Sequence, residues 1–99
     1  MHPARQSHAD EPQTPLRITD EFNAGLAEVQ SDKALARIYD LITLLSKYPD
    51  YGSPEARRPL SRRYGAGLRK IVAAPYVIVY RHADDAVEVL ALVYGPSVT

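Results

Sequence analysis

The chain has 99 residues, with 12 Lys+Arg against 12 Asp+Glu, 45% apolar residues and 24% charged ones. That is the balance of one soluble globular domain and excludes a collagen-like, disordered or supercharged protein. The absence of cysteine excludes a disulfide framework, a thiolate nucleophile and cysteine-ligated metal sites.

The apolar runs fall far short of the roughly 20 residues of a membrane span. No apolar segment follows Met1 as a secretory signal would, so the cytoplasm is the expected location. Neutrality conceals a polarity. Residues 1–50 hold 5 basic and 8 acidic side chains, and residues 51–99 hold 7 basic and 4 acidic ones. Six of the basic residues, Arg57, Arg58, Arg62, Arg63, Arg69 and Lys70, lie in a stretch without any acid.

Residues 1–14 are rich in Pro, Gln, His and Asp. They lack the apolar side chains that would offset their ordering entropy, so a mobile tail is expected. His2 and His8 fall in it without the company a metal ligand needs. Leu16-Arg17-Ile18 alternates as a short strand does. Thr19 then offers an N-cap oxygen, and Asp20 and Glu21 suit the positive end of a helix dipole. Phe22, Leu26 and Val29 share a face, which predicts a helix over 20–30. Ser31 and Asp32 supply a second cap. From Lys33 to Tyr48, Ala34, Leu35, Ile38, Leu41, Ile42, Leu45 and Tyr48 line one face, with Leu44 among the polar residues. Pro49 ends this second helix.

Residues 49–66 contain three prolines and two glycines and read as a long loop with one helical turn at Glu55–Arg58. A loop of that length in a small domain is commonly functional. Three strands follow: Gly67–Ala74, Tyr76–His82 and Val87–Tyr94. They are separated by the turn at Ala74-Pro75 and the hairpin loop Ala83–Ala86. The order β-α-α-β-β-β is an α+β domain over residues 15–99, a helical hairpin on one face of a small antiparallel-rich sheet. Tyr76, Ile78 and Tyr80 on one parity and Val77 and Val79 on the other make both faces apolar. The second face must be covered by the long loop and tail or by another polypeptide.

The stretches ALARIYDLITLLSKYPDYGSP and GLRKIVAAPYVIVYRHADDAVEVLALVYG resemble the RelE/ParE toxin superfamily over roughly residues 15–95. In that family a helix ends in an aromatic-Pro-x-x-Gly segment, here Tyr48-Pro49-Asp50-Tyr51-Gly52. An Arg opens a strand (Arg69), a P-Y-x-I-V-Y strand follows (Pro75–Tyr80), and a V-x-V-L-x-V strand closes the domain (Val87–Leu92). The Tyr-Pro-Asp-Tyr-Gly segment and Arg69 look closer to the ParE branch. The resemblance implies the toxin of a bacterial type II toxin–antitoxin pair, a plasmid-stabilisation type of system. An antitoxin encoded beside it would hold it inactive by wrapping it with an amphipathic helix and an extended segment. ParE-like members inhibit DNA gyrase; RelE-like members cut mRNA in the ribosomal A site.

This sequence departs from the nuclease pattern. Val77 stands where the family usually has Arg. Tyr94, Gly95, Pro96 and Ser97 stand where His and basic residues often close the last strand. RNA cleavage needs an activator of the 2′-OH, a proton source and cations for the developing charge. The candidates for those roles are Arg69, Arg81, His82 and Tyr94, beside Lys70. His82 opens a hairpin turn, and Tyr94 has a high ordinary pKa. Neither a metal cluster nor a phosphate loop is legible, and no cofactor is expected.

The expectation is therefore a toxin acting on gyrase by protein contact, without sequence-specific DNA binding and without a membrane. The alternatives are a ribosome-dependent endonuclease and a non-toxic binding module with the same fold. Target contact is assigned to Arg57, Arg58, Arg62, Arg63, Arg69, Lys70 and Arg81. Antitoxin contact is assigned to Leu26, Ile38, Leu41, Leu44 and Leu45, less those that pack on the sheet.

Overall fold

The computed structural model describes residues 14–97. The tail assignment and its two histidines therefore lie outside the described residues except at Thr14. There the backbone donates to Ser46 O at 2.9 Å and accepts from Ser46 Oγ at 3.0 Å.

Strand β1 (Leu16–Ile18) leads into helix α1 (Asp20–Ala27). Thr19 joins them: its Oγ1 accepts from Phe22 N at 3.0 Å and donates to Leu90 O at 2.8 Å, so one hydroxyl caps the helix and fastens it to the sheet. The helix stops at Ala27, short of the expected residue 30. The amides of Glu28 and Val29 bond three residues back, to Gly25 and Leu26, which tightens the last turn and turns Val29 inward. Ser31 Oγ then accepts from Ala34 N at 3.1 Å and starts α2 (Asp32–Lys47).

The 49–66 segment departs from the expected loop. It contains a two-residue strand, β2 (Ser53–Pro54), and a seven-residue helix, α3 (Arg58–Tyr64). In place of the helical turn expected at Glu55–Arg58, residues 55–57 have no regular structure, with Arg57 extended, and the helix begins at Arg58, where that turn was to end. Pro59 suits the first turn because its missing N–H would have had no intrahelical partner. Strands β3 (Arg69–Ala73), β4 (Tyr76–His82) and β5 (Val87–Tyr94) follow, and a 3-10 turn spans Gly95–Ser97.

Among the described residues these elements form three α-helices and a five-stranded mixed sheet of order β1-β5-β4-β3-β2. β1 runs parallel to β5 and the other pairs are antiparallel. The α+β class and the element order stand as read, with β2 and α3 added. Helices α1 and α2 cover one face, where Phe22, Ile38, Leu41, Ile42 and Leu45 pack on Ile71, Ile78, Tyr80, Val87 and Val89.

A register shift between Val79 and Tyr80 sets Val79 against Ala91 and Tyr80 against Val89, so Leu90 is an extra residue in β5. On the other face Val77, Val79 and Ala91 meet Leu60 and Leu68 in a second, smaller core. The long loop thus covers part of the second face through Leu60 of α3. It leaves the neighbourhood of Val72 open, with that side chain 53% exposed.

Candidate functional site: a pinned loop and a basic helix

Two strand residues hold the Tyr48–Gly52 segment. Arg69 and Tyr80 are cross-strand partners. The Arg69 guanidinium donates to Asp50 O at 3.0 Å and to Gly52 O at 2.6 Å. The Tyr80 hydroxyl accepts from Gly52 N at 2.9 Å. His82 Nδ1 lies 3.1 Å from Asp50 Oδ1. A Cβ at residue 52 would sit 2.2 Å from Lys70 O, which is why this close approach takes glycine. The Arg69 Nε is buried without a partner. Arg69, assigned above to target contact, therefore acts within the fold as the pin of this loop. Tyr48 and Tyr51 project from it into solvent.

Beyond β2 the Glu55 side chain is only 1% exposed. Arg57 closes on it with Nη2 at 2.7 Å from Oε1, and the Arg57 amide donates to Oε2 at 2.7 Å. Lys70 Nζ stands 4.0 Å away. The hydrogen bond from Arg57 holds the Glu55 carboxyl below its ordinary pKa against the opposing effect of burial, and the same bond raises Arg57.

Arg81 is likewise engaged, 3.0 Å from Glu88 and donating to Tyr64 O at 2.7 Å, which ties the end of α3 to the sheet. Arg63 pairs with Glu21 at 2.9 Å, and the Tyr64 hydroxyl bonds the same carboxylate. Burial, and then that bond to Glu21, raise the Tyr64 pKa. Arg58 and Arg62 are different: both are exposed, and neither has an ion pair among the described residues.

The assigned cations thus fall into two sets. Arg57, Arg63, Arg69 and Arg81 hold the long loop and α3 in place, and Lys70 stands beside Glu55. Arg58 and Arg62 present their charge outward. The helical assignments divide too. Ile38, Leu41 and Leu45 are buried in the protein's own core and fall to the subtraction stated with them, whereas Leu26 and Leu44 are half-buried at its margin. Tyr94 is exposed and meets Tyr76 edge-on, with ring centroids 5.9 Å apart.

Sequence reasoning missed Glu55 and Tyr80 as anchors. The Glu-x-Arg spacing was visible, but its burial depends on Leu68 O accepting from Glu55 N across the sheet edge. Among the described residues no cluster of His, Asp or Glu could hold a metal ion, and no helix is long and apolar enough to cross a membrane.

No curated protein sequence matches the chain. Among solved structures, a chain of the toxin–antitoxin complex RelBE2 from Mycobacterium tuberculosis shares this fold. Its TM-score is 0.65 at 22% identity, over 83% of this chain and 98% of that one. The family model described as "ParE toxin of type II toxin-antitoxin system, parDE" matches residues 16–95. That span runs from β1 into the closing 3-10 turn and takes in the pinned loop and the basic helix. On that match the chain belongs to the ParE toxin family of type II toxin–antitoxin systems.

Proposed function

We propose that this toxin acts by protein–protein contact on DNA gyrase, and that a cognate antitoxin neutralises it. One observation supports contact over chemistry: the groups a nuclease would need are committed to the fold. Arg69 is spent on backbone carbonyls, Arg81 on Glu88 and Tyr64 O, and His82 on Asp50. Val77 is buried in the second core, where a cation for a developing phosphate charge would otherwise stand. Tyr94 packs edge-on against the Tyr76 ring. What remains outward is a helix bearing two arginines unpaired among the described residues, and a loop bearing two exposed tyrosines. Arg and Tyr are side chains enriched where protein surfaces meet.

The test is DNA supercoiling by purified gyrase with and without the toxin. Inhibition is the expected result. Unchanged supercoiling together with mRNA cleavage in a translating extract would overturn the proposal in favour of a ribosome-dependent endonuclease.

A further inference from the structure

The Tyr48–Gly52 loop is restrained along its whole length. The Tyr48 amide bonds Leu44 O at 2.9 Å and closes α2, and the Pro49 ring fixes its own φ. Asp50 is held through its carbonyl by Arg69 at 3.0 Å and through its side chain by His82 at 3.1 Å. The Tyr51 amide bonds back to Tyr48 O at 2.9 Å. The Gly52 amide donates to the Tyr80 hydroxyl at 2.9 Å, and its carbonyl accepts from Arg69 at 2.6 Å. Surface loops are ordinarily the mobile part of a domain.

The restraint is a poor device for stability. The bond to Asp50 O lies at the surface, where water would serve that carbonyl nearly as well. Arg69 meanwhile keeps its Nε buried without a partner, a cost that a desolvated donor carries in full. Tyr80 is buried in the main core, where Phe would fill the same space, and its hydroxyl is spent on Gly52 N.

What this fixed backbone carries is two side chains that the fold leaves unused. Tyr48 is 58% exposed and Tyr51 is 59% exposed, and neither side chain makes a hydrogen bond or ring contact among the described residues. Tyrosine offers a large amphipathic surface for the loss of only two side-chain torsions. Ordering a loop on binding weakens association, and a loop already fixed avoids that loss.

We propose that Tyr48 and Tyr51 are the anchors this toxin seats in gyrase, and that Arg69 and Tyr80 are positioning residues that set their spacing and direction. The inference rests on the reading of the chain as a gyrase inhibitor. Projecting aromatic anchors need pockets to fill. A large folded enzyme offers pockets; a lone helix or extended segment of an antitoxin, having no interior, does not.

The experiment titrates inhibition of supercoiling, and affinity for gyrase, with five proteins: wild type, Tyr48→Ala/Tyr51→Ala, Tyr80→Phe, Arg69→Met and Tyr39→Ala. Met keeps the arginine stem and removes its donors. Tyr39 is an exposed tyrosine on α2, away from the loop in sequence, and serves as the control. Urea unfolding, far-UV circular dichroism and hydrogen exchange at the Gly52 amide are measured on the same proteins. Should Arg69→Met fail to fold, Tyr80→Phe, which removes one oxygen, carries the test.

The tyrosine pair should inhibit about ten-fold or more weakly, as loss of anchor side chains does, while unfolding as the wild type does. The folded Tyr80→Phe and Arg69→Met proteins should exchange the Gly52 amide faster and inhibit about five-fold or more weakly, because the competent loop becomes a fraction of the population. Tyr80→Phe should lower affinity no further once both tyrosines are gone, since it acts through them. Tyr39→Ala should match the wild type. Full inhibition by the tyrosine pair overturns the inference, and if that pair instead loses antitoxin binding, the loop belongs to the antitoxin. Full inhibition by Tyr80→Phe with a fast Gly52 amide overturns the positioning role, as does weakened inhibition with that amide unchanged. Equal loss in Tyr39→Ala overturns the assignment to this loop. In each of these cases wild-type inhibition leaves the gyrase reading standing, whereas a wild type without effect on supercoiling removes both.

Discussion

At the scale of single residues, Glu55 and Arg57 show how one ion pair yields unequal effects when either partner is removed. Glu55 is 1% exposed and Arg57 is 27% exposed. Removing Glu55 frees an arginine that can swing toward water. Removing the Arg57 side chain leaves a buried carboxylate with the backbone amide of residue 57, at 2.7 Å, and with Lys70, at 4.0 Å, but without its close cation. Arg57→Ala is therefore expected to cost about 3 kcal/mol of stability, the low end of the range for breaking a buried ion pair, because the amide and Lys70 still face the carboxylate. Glu55→Ala is expected to cost about 1–3 kcal/mol. Urea unfolding at pH 7 reads both, and equal losses would contradict the asymmetry. The pH dependence has a definite sign. Glu55 has a lowered pKa in the folded protein, so its contribution is complete above the ordinary carboxylate value and fades as pH falls through the folded one. The difference between wild type and Glu55→Ala should shrink as unfolding is repeated at pH values descending from 5. A gap that widened with acid would refute the assignment.

The elements show what the sequence makes legible and what it withholds. Helix α2 was legible because its apolar residues repeat with the helical period and its cap and its terminating Pro49 are local signals. Strands β4 and β5 were legible from their β-branched and aromatic runs. Helix α3 was not, because only Leu60 and Tyr64 mark its apolar side and four arginines surround them. The four-residue spacing of that pair, with Gly65 as a stop, was the signal available. β2 had no local signal, since two residues cannot show a period. The pin of Arg69 and Tyr80 on Gly52 joins positions distant in sequence, and spacing alone could assign Arg69 a surface role and nothing more.

The same element carries a stability expectation. Leu60 is the only buried residue of α3 and sits on Val77, Val79 and Ala91. Leu60→Ala should cost about 2–5 kcal/mol and speed amide exchange in residues 58–64 more than in α2. Uniform acceleration across both helices would indicate that α3 is not a separate unit.

At the scale of the whole molecule, the neutral chain divides its arginines between holding the second face together and displaying charge from it. Arg58 and Arg62 belong to the second kind, exposed on α3 and unpaired among the described residues. Substituting them leaves no buried partner behind, so Arg58→Glu/Arg62→Glu should keep the unfolding free energy within about 0.5 kcal/mol of wild type. Arg81 differs: its loss would leave Glu88 and the Tyr64 carbonyl without their donor. If contact with gyrase runs through α3, the double reversal should weaken supercoiling inhibition at least ten-fold at unchanged stability. Wild-type inhibition should also decline as salt shortens the screening length below roughly 8 Å. The stability measurement gives the kinetic one its meaning, because a variant that is inactive and unstable says only that α3 is needed for folding. Full inhibition by a stable Arg58→Glu/Arg62→Glu protein would move the contact off α3, leaving the exposed tyrosines of the pinned loop as the remaining candidate.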